Sequence, residues 1–271
     1  MADRAAATSE PHGAITERAR LQVVLARAGI ASRRATAKLV AAGRVRVNGE
    51  VVRDASRRVD PSRDTILLDG NPAGTSEPLR YYALHKPRGV LSSAGDKRGR
   101  RTVIDLLPKN SGRCVPVGRL DYDSEGLLLL TNDGPLVTSL FHPSGEVPRE
   151  YLVEVEGHVS DATLDAIFTG VTLPDGSTAS AKPKRSHRSG RESSWLVLTL
   201  RRGRKHEVRQ ICAAVGHPVR RLIRVRFGPI RLRDLEPGAV RPLTDREVRL
   251  IRQRSKKQAA KQLSPASTRP G

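Results

Sequence analysis

Gly118-Arg119-Leu120-Asp121-Tyr122-Asp123-Ser124-Glu125-Gly126 runs straight into Leu127-Leu128-Leu129-Leu130 and then into Thr131-Asn132-Asp133-Gly134. An apolar run of that length between turn-forming residues predicts a buried strand that ends at Asn132-Asp133-Gly134. The polar, glycine-flanked stretch before it is then a loop that holds the Asp121 carboxylate at the mouth of a rigid strand. A catalytic carboxylate needs such a mount. An aspartate in a glycine-bounded loop also serves as a turn former whose side chain accepts a backbone N–H. The neighbouring Asp123 and Glu125 raise paired-carboxylate chemistry of the glycosidase kind, but acids this close in sequence more often share a solvated loop, and the charge of the chain speaks for another polymer.

Lys and Arg number 49 against 28 Asp and Glu, a net charge of +21 over 271 residues. An extended anion is the natural partner, and nucleic acid comes first. A membrane is the weaker partner, because no segment approaches the apolar length of a spanning helix. Residues 1–13 carry acids and no apolar core, which does not describe a secretory signal, so a cytoplasmic location is expected. Cys114 and Cys212 stand far apart without a Cys-x-x-Cys or His pattern, so neither a disulfide framework nor a zinc site is expected. With aromatics at 3%, a generic single-strand binder built on stacking platforms is disfavoured.

The length allows two domains. Residues 1–17 and 253–271 are polar or basic and are expected to be disordered. Residues 71–78 are turn and linker types, so the expected domains span 18–70 and 79–252. In the first, Leu21, Val24, Leu25 and Ala28 have helical spacing before Gly29. Ser32 is the expected N-cap of a helix over 33–42 whose inner face is Ala35, Leu39 and Ala42. Asn48-Gly49 predicts a hairpin, and 65–68 a further strand. Arg33, Arg34, Lys38, Arg44 and Arg46 lie on the exposed side. The residues Ala28-Gly29-Ile30-Ala31-Ser32-Arg33-Arg34, Ala42-Gly43-Arg44-Val45-Arg46-Val47-Asn48-Gly49 and Val59-Asp60-Pro61 together resemble the S4 RNA-binding domain. That resemblance implies that Ser32, Arg33, Arg34 and Lys38, with Arg44 and Arg46 beside them, face structured RNA, where shape and phosphate contacts dominate.

The larger domain opens with a strand over 81–86 that enters the loop Lys86-Pro87-Arg88-Gly89, where Lys86 and Arg88 are read as phosphate contacts and His85 as a structural histidine. Helices are expected over 102–107, 135–141 and 160–170. Strands are expected at Val115 and Val117, at Tyr151, Val153 and Val155 on one face, and over 195–200 in the middle of the sheet, with Trp195 in the core. Gly203 breaks that strand, and Val208, Ile211, Cys212 and Val215 follow at helical spacing. Arg204 and Lys205 are read as phosphate contacts.

The nine-residue stretch 118–126 resembles the motif of RNA pseudouridine synthases of the RsuA and RluB type, and four other segments agree. They are His85-Lys86-Pro87-Arg88-Gly89, Arg149-Glu150-Tyr151-Leu152-Val153, Gly203-Arg204-Lys205-His206-Glu207-Val208-Arg209, and the closing Arg224 to Ile230 with Leu235-Glu236-Pro237-Gly238. The resemblance spans about 18–250. It implies an α+β protein, an S4 module followed by a mixed, largely antiparallel sheet domain. It implies Asp121 as the catalytic carboxylate, Tyr151 against the target uracil, and Arg209 paired with Asp121. Glu207 stands where related synthases carry Gln. Arg119 is placed to fill the space that a displaced uridine leaves.

The implied activity is isomerisation of uridine to pseudouridine in ribosomal RNA, 23S rather than 16S, by a monomer acting on the RNA or on a ribosome-assembly intermediate. The reaction breaks the N1–C1′ bond, turns the uracil and joins C5 to C1′. No redox change occurs, so no cofactor is expected. A carboxylate either stabilises or traps the cationic sugar, or removes a sugar proton to give a glycal. Two other readings fit part of the chain: a noncatalytic RNA-binding or ribosome-assembly factor, and a hydrolase that releases free uracil.

Overall fold

The computed structural model describes residues 18–75, 77–141 and 147–263, and the chain divides into two compact units at Arg80 and Tyr81. The expected disorder over 1–17 lies outside the described residues.

In the first unit, β1 (Ala19–Arg20) leads into α1 (Leu21–Arg27) and α2 (Arg33–Ala41), followed by β2 (Val45–Val47), β3 (Glu50–Val52), β4 (Arg58–Val59), β5 (Ile66–Leu68) and β6 (Asn71–Pro72). β3, β2, β5 and β6 form a four-stranded sheet in that order, and β1 pairs with β4. Ser32 caps α2 as expected: its Oγ accepts from Ala35 N at 3.2 Å. The inner face of α2 is Thr36 and Val40, however, and not Ala35, Leu39 and Ala42. Thr36 can point inward because its hydroxyl donates to backbone carbonyls, including that of Gln22 at 2.9 Å. Asn48-Gly49 turns the β2–β3 hairpin with both φ angles positive, 52° and 87°, as the sequence predicts. Asp69-Gly70 does the same at 49° and 83°, so residues 71–72 return as β6 and Ala73 is buried in this unit's core. The expected linker therefore begins with a strand.

The second unit is built on a nine-stranded sheet. Its strands are β7 (Tyr81–Lys86), β8 (Val115–Val117), β9 (Glu125–Thr131), β10 (Arg149–Glu156), β13 (Lys182–Ser189), β14 (Ser193–Leu200), β15 (Val219–Phe227), β16 (Ile230–Arg231) and β17 (Val240–Pro242), while β11 (Val171–Thr172) and β12 (Thr178–Ala179) form a separate ribbon. The main order is β13-β14-β10-β15-β9-β7-β17, antiparallel except where β15 and β9 run parallel. The quadruple-leucine run is β9, buried along its whole length. It touches both faces of the sheet: Leu127 and Leu129 join one core cluster, and Leu128 and Leu130 another. A strand covered on both sides reads as a continuous apolar run and not as an alternation.

The helices are α3 (Gly134–Phe141), α4 (Asp161–Thr169), α5 (Glu207–Ala214) and α6 (Asp245–Leu263), with a short 3-10 turn at Val103–Leu106. β14 lies second from one end of the sheet order instead of centrally. Trp195 on it is half-buried, its ring 5.2 Å from the Arg188 guanidinium. α6 corrects the expected disordered tail as far as Leu263, and residues 264–271 lie outside the described residues. A reciprocal cap starts it: Glu247 N donates to Thr244 Oγ1 at 3.2 Å, and Thr244 N donates to Glu247 Oε2 at 3.0 Å. Arg241 holds the same carboxylate at 2.7 Å and, with these bonds, brings its pKa to about 2.

Candidate active site

The loop between β8 and β9 is tied from beneath by a lysine. Lys86 is 0% exposed, and its ammonium donates to the carbonyls of Ser124 at 2.7 Å, Pro87 at 3.0 Å and Tyr122 at 3.4 Å. It is thus no phosphate contact, which corrects the sequence expectation. β7 carries it beneath the Asp121 loop, where inward-facing carbonyls replace water as its partners. Burial pushes its pKa down to about 8, against the opposing pull of Asp123, Asp121 and Glu125. Gly89 N donates to Tyr122 O at 2.8 Å, and Ser92 Oγ both donates to Leu120 O and accepts from Leu120 N. These bonds fix the backbone on either side of Asp121.

The far wall is set by the contact of β9 with β15. Gly126 has φ of +108°, and a Cβ there would sit 2.4 Å from the Arg224 carbonyl oxygen. No other residue permits that approach. Arg224 lies opposite Gly126 on one side and opposite Tyr151 on the other. It is 2% exposed, and its Nε donates to Leu127 O at 2.7 Å. Burial lowers the pKa of its guanidinium, and the neighbouring Tyr151 phenol opposes that shift. Asp121, Tyr151, Arg224, Leu222 and Phe227 line one cleft of about 220 Å³. The Asp121 side chain is 38% exposed within it.

The remaining wall comes from the start of α5. His206 takes a left-handed conformation, φ 55° and ψ 20°, and brings Nε2 to 3.3 Å from Asp121 Oδ1. Arg209 binds Asp123, Nη2 to Oδ2 at 2.7 Å. The expected Arg209–Asp121 pair is therefore replaced by two neighbouring pairs. Positions 206 and 209 are one helical turn apart and meet alternate residues of the loop. Glu207 is buried, and its Oε2 accepts from Arg204 N at 3.1 Å, so the acid found in place of Gln closes the turn before the helix. The Arg204 guanidinium donates to Ser177 Oγ at 2.6 Å. Arg119 and Lys205 are exposed on the cleft lining, and Arg88 is exposed outside it. His85 is structural as expected: its Nδ1 lies 2.6 Å from the Leu235 carbonyl oxygen.

In the first unit, Arg33, Arg34 and Lys38 are exposed on α2. Arg44 is engaged by Asp69, with Nε donating to Oδ1 at 3.0 Å, and Arg46 donates to Gly49 O at 2.9 Å. Those two cations are less available to phosphate than the α2 group.

Sequence reasoning gave no role to His206, Leu222 or Arg224. One signal for Arg224 was present: a charge inside the run Leu222-Ile223-Arg224-Val225, at a position that alternation places on an inner face. Nothing local marked His206, because the left-handed turn that aims it arises from the junction of loop and helix.

Residues 80–214 match the family model for RNA pseudouridylate synthase, and residues 19–64 match that for the S4 domain. A ribosomal large subunit pseudouridine synthase B from Bacillus subtilis is 42% identical over 86% of this chain and 95% of its own length. Its namesake from Escherichia coli O157:H7 is 46% identical over 79% of this chain and 75% of its own. A crystal structure of a pseudouridylate synthase superposes with a TM-score of 0.60 at 28% identity, covering 86% of this chain and 99% of the other. With an S4 domain ahead of a mixed-sheet unit whose cleft gathers Asp121, Tyr151 and Arg224, the chain belongs to the RNA pseudouridine synthase family.

Proposed function

We propose that this protein isomerises one uridine, or a small set of uridines, in ribosomal RNA, and that the substrate is 23S RNA, alone or in an assembling large subunit. The relatives named for the large ribosomal subunit support that choice. The observation that carries the chemistry is the convergence of Asp121, Tyr151 and Arg224 on one cleft. Asp121 acts at the ribose, either at C1′ or on a sugar proton, while the N1–C1′ bond breaks and the C5–C1′ bond forms. Tyr151 packs against the uracil and keeps it in the cleft as it turns. Arg224 lies beneath, its charge opposed by burial and supported by the neighbouring Tyr151 phenol. Arg209 acts one step away, through Asp123, as a positioning residue.

A uridine within folded RNA leaves its stack at a cost of about a few kcal/mol, and Arg119, which lines the cleft, fills the vacated space. Arg33, Arg34 and Lys38 meet phosphates of structured RNA in the S4 unit, and the enzyme works as a monomer in the cytoplasm. No described helix is long and apolar enough to cross a membrane. The test is pseudouridine mapping on unmodified 23S and 16S transcripts treated with the purified protein, beside ribosomal RNA from cells with and without it. The expected result is a new pseudouridine in 23S RNA that is missing from cells lacking the protein. Modification confined to 16S, or release of free uracil, would reject the reading.

A further inference from the structure

A second hollow, of about 420 Å³, adjoins the cleft and shares Arg202, Arg204 and Glu207 with it. On its wall stands Phe168, 62% exposed, in a chain with only three phenylalanines. α4 turns Ile167 and Leu164 into the core cluster of this unit. Phe168, one residue on, is left facing solvent. A single exposed apolar side chain is ordinary on a protein surface. This one differs because its surroundings are concave and cationic: Lys182, Arg201, Arg202 and Arg204 line the hollow against one acid, Glu207. The acid is already committed to the Arg204 backbone N–H, and Ser177 Oγ steadies the Arg204 guanidinium.

We propose that this hollow is a second nucleotide subsite, which holds an unpaired nucleotide of the RNA being modified, its base on the Phe168 ring and its phosphate against Arg202 and Lys182. An aromatic face beside guanidinium groups is the recognition chemistry of a splayed-out base. A paired base within an A-form helix keeps both faces covered by its neighbours, so the occupant comes from a bulge, loop or end. Continuity with the cleft makes that nucleotide a spatial neighbour of the target uridine. The subsite deepens the functional reading above and rests on it: a substrate uridine in a fully paired stretch, with no unpaired nucleotide nearby, would leave the hollow empty and be selected against.

The experiment measures binding to overlapping transcripts of unmodified 23S RNA by fluorescence anisotropy, using the tightest-binding transcript for all variants. Phe168→Ala is expected to weaken binding roughly 5- to 150-fold, the range for loss of one stacked base. Phe168→Trp and Phe168→Tyr should bind within about threefold of the unaltered protein, and Phe168→Leu should lose most of what Ala loses. Arg202→Ala should lower the log–log salt slope by roughly 0.7, one single-strand phosphate contact, which the Phe168 variants should not do. Binding by Phe168→Ala within twofold of the unaltered protein, or Leu as good as Phe, would overturn the subsite. Pseudouridine formation on the same transcript is scored in parallel. If the transcript is never isomerised, the functional reading fails, while the Phe168 series still decides the subsite.

Discussion

The cations of the two units look alike in the sequence and sit in opposite surroundings. On α2 of the first unit, Arg33, Arg34 and Lys38 stand in solvent with their charges turned outward. In the second unit, Lys86 and Arg224 are almost wholly buried, and their donors hold carbonyls of the Asp121 loop and of β9. An exposed cation can follow a phosphate backbone and is screened by salt. A buried one is dear in desolvation and is kept in place by hydrogen bonds, so it fixes geometry. On the function proposed above, the molecule separates holding RNA from shaping the reaction site, with the same residue types in both roles.

Three variants test that separation. Lys86→Met removes the donor to three carbonyls while keeping the stem buried, so the loop that carries Asp121 relaxes. Displacement of about 1 Å at a reacting group costs on the order of 100-fold in rate. Single-turnover kinetics at saturating RNA should show that loss, with RNA affinity changed by less than threefold. A variant that lost affinity and kept its rate would return Lys86 to the phosphate-binding group.

The combined Arg33→Ala, Arg34→Ala and Lys38→Ala variant should do the reverse. Three lost contacts at roughly 0.7 to 0.9 each should flatten the log–log salt slope by about 2 to 3. Arg44→Gln should change the slope by less than one contact, because Asp69 already holds that guanidinium. Salt titrations of both variants decide the matter, and equal effects per residue would erase the distinction within the S4 unit.

The smallest effect is on stability against pH. Lys86 titrates near 8 in the folded protein, below its ordinary value of 10.5. Between those values the unfolded chain binds more protons than the folded one, so this group makes stability rise with pH. Denaturant midpoints at pH 8 and pH 10 should therefore show a gain in the unaltered protein relative to Lys86→Met. A relative loss over that interval would mean that the three carbonyl bonds outweigh burial.

Much of this was readable from residues alone. The fully buried β9, the Ser32 cap of α2, the span of α4 from the Ser160 cap to Gly170, and the inward face of α5 all follow from local pattern. The failures share one cause, the dependence of a side chain on partners distant in sequence. Lys86 in a Pro- and Gly-punctuated loop reads as a surface cation until β7 is laid under residues 122–124. The partner of Arg209 could not be chosen between Asp121 and Asp123 without the angle at which α5 meets the loop. Asp69-Gly70 was a hairpin signal lost among linker-like residues, and the Thr244 and Glu247 cap was hidden by the basic composition of the helix it starts.

On the proposed function, the Asp121 carboxylate, held at the cleft by this scaffold, performs the isomerisation. Asp121→Asn keeps the size of the side chain and its place beside His206 and removes the charge. Single-turnover conversion of a 23S transcript should fall by several orders of magnitude, while the dissociation constant for the RNA stays within about threefold. Pseudouridine formed by Asp121→Asn at a rate comparable with the unaltered protein would mean that the carboxylate charge does not drive the isomerisation.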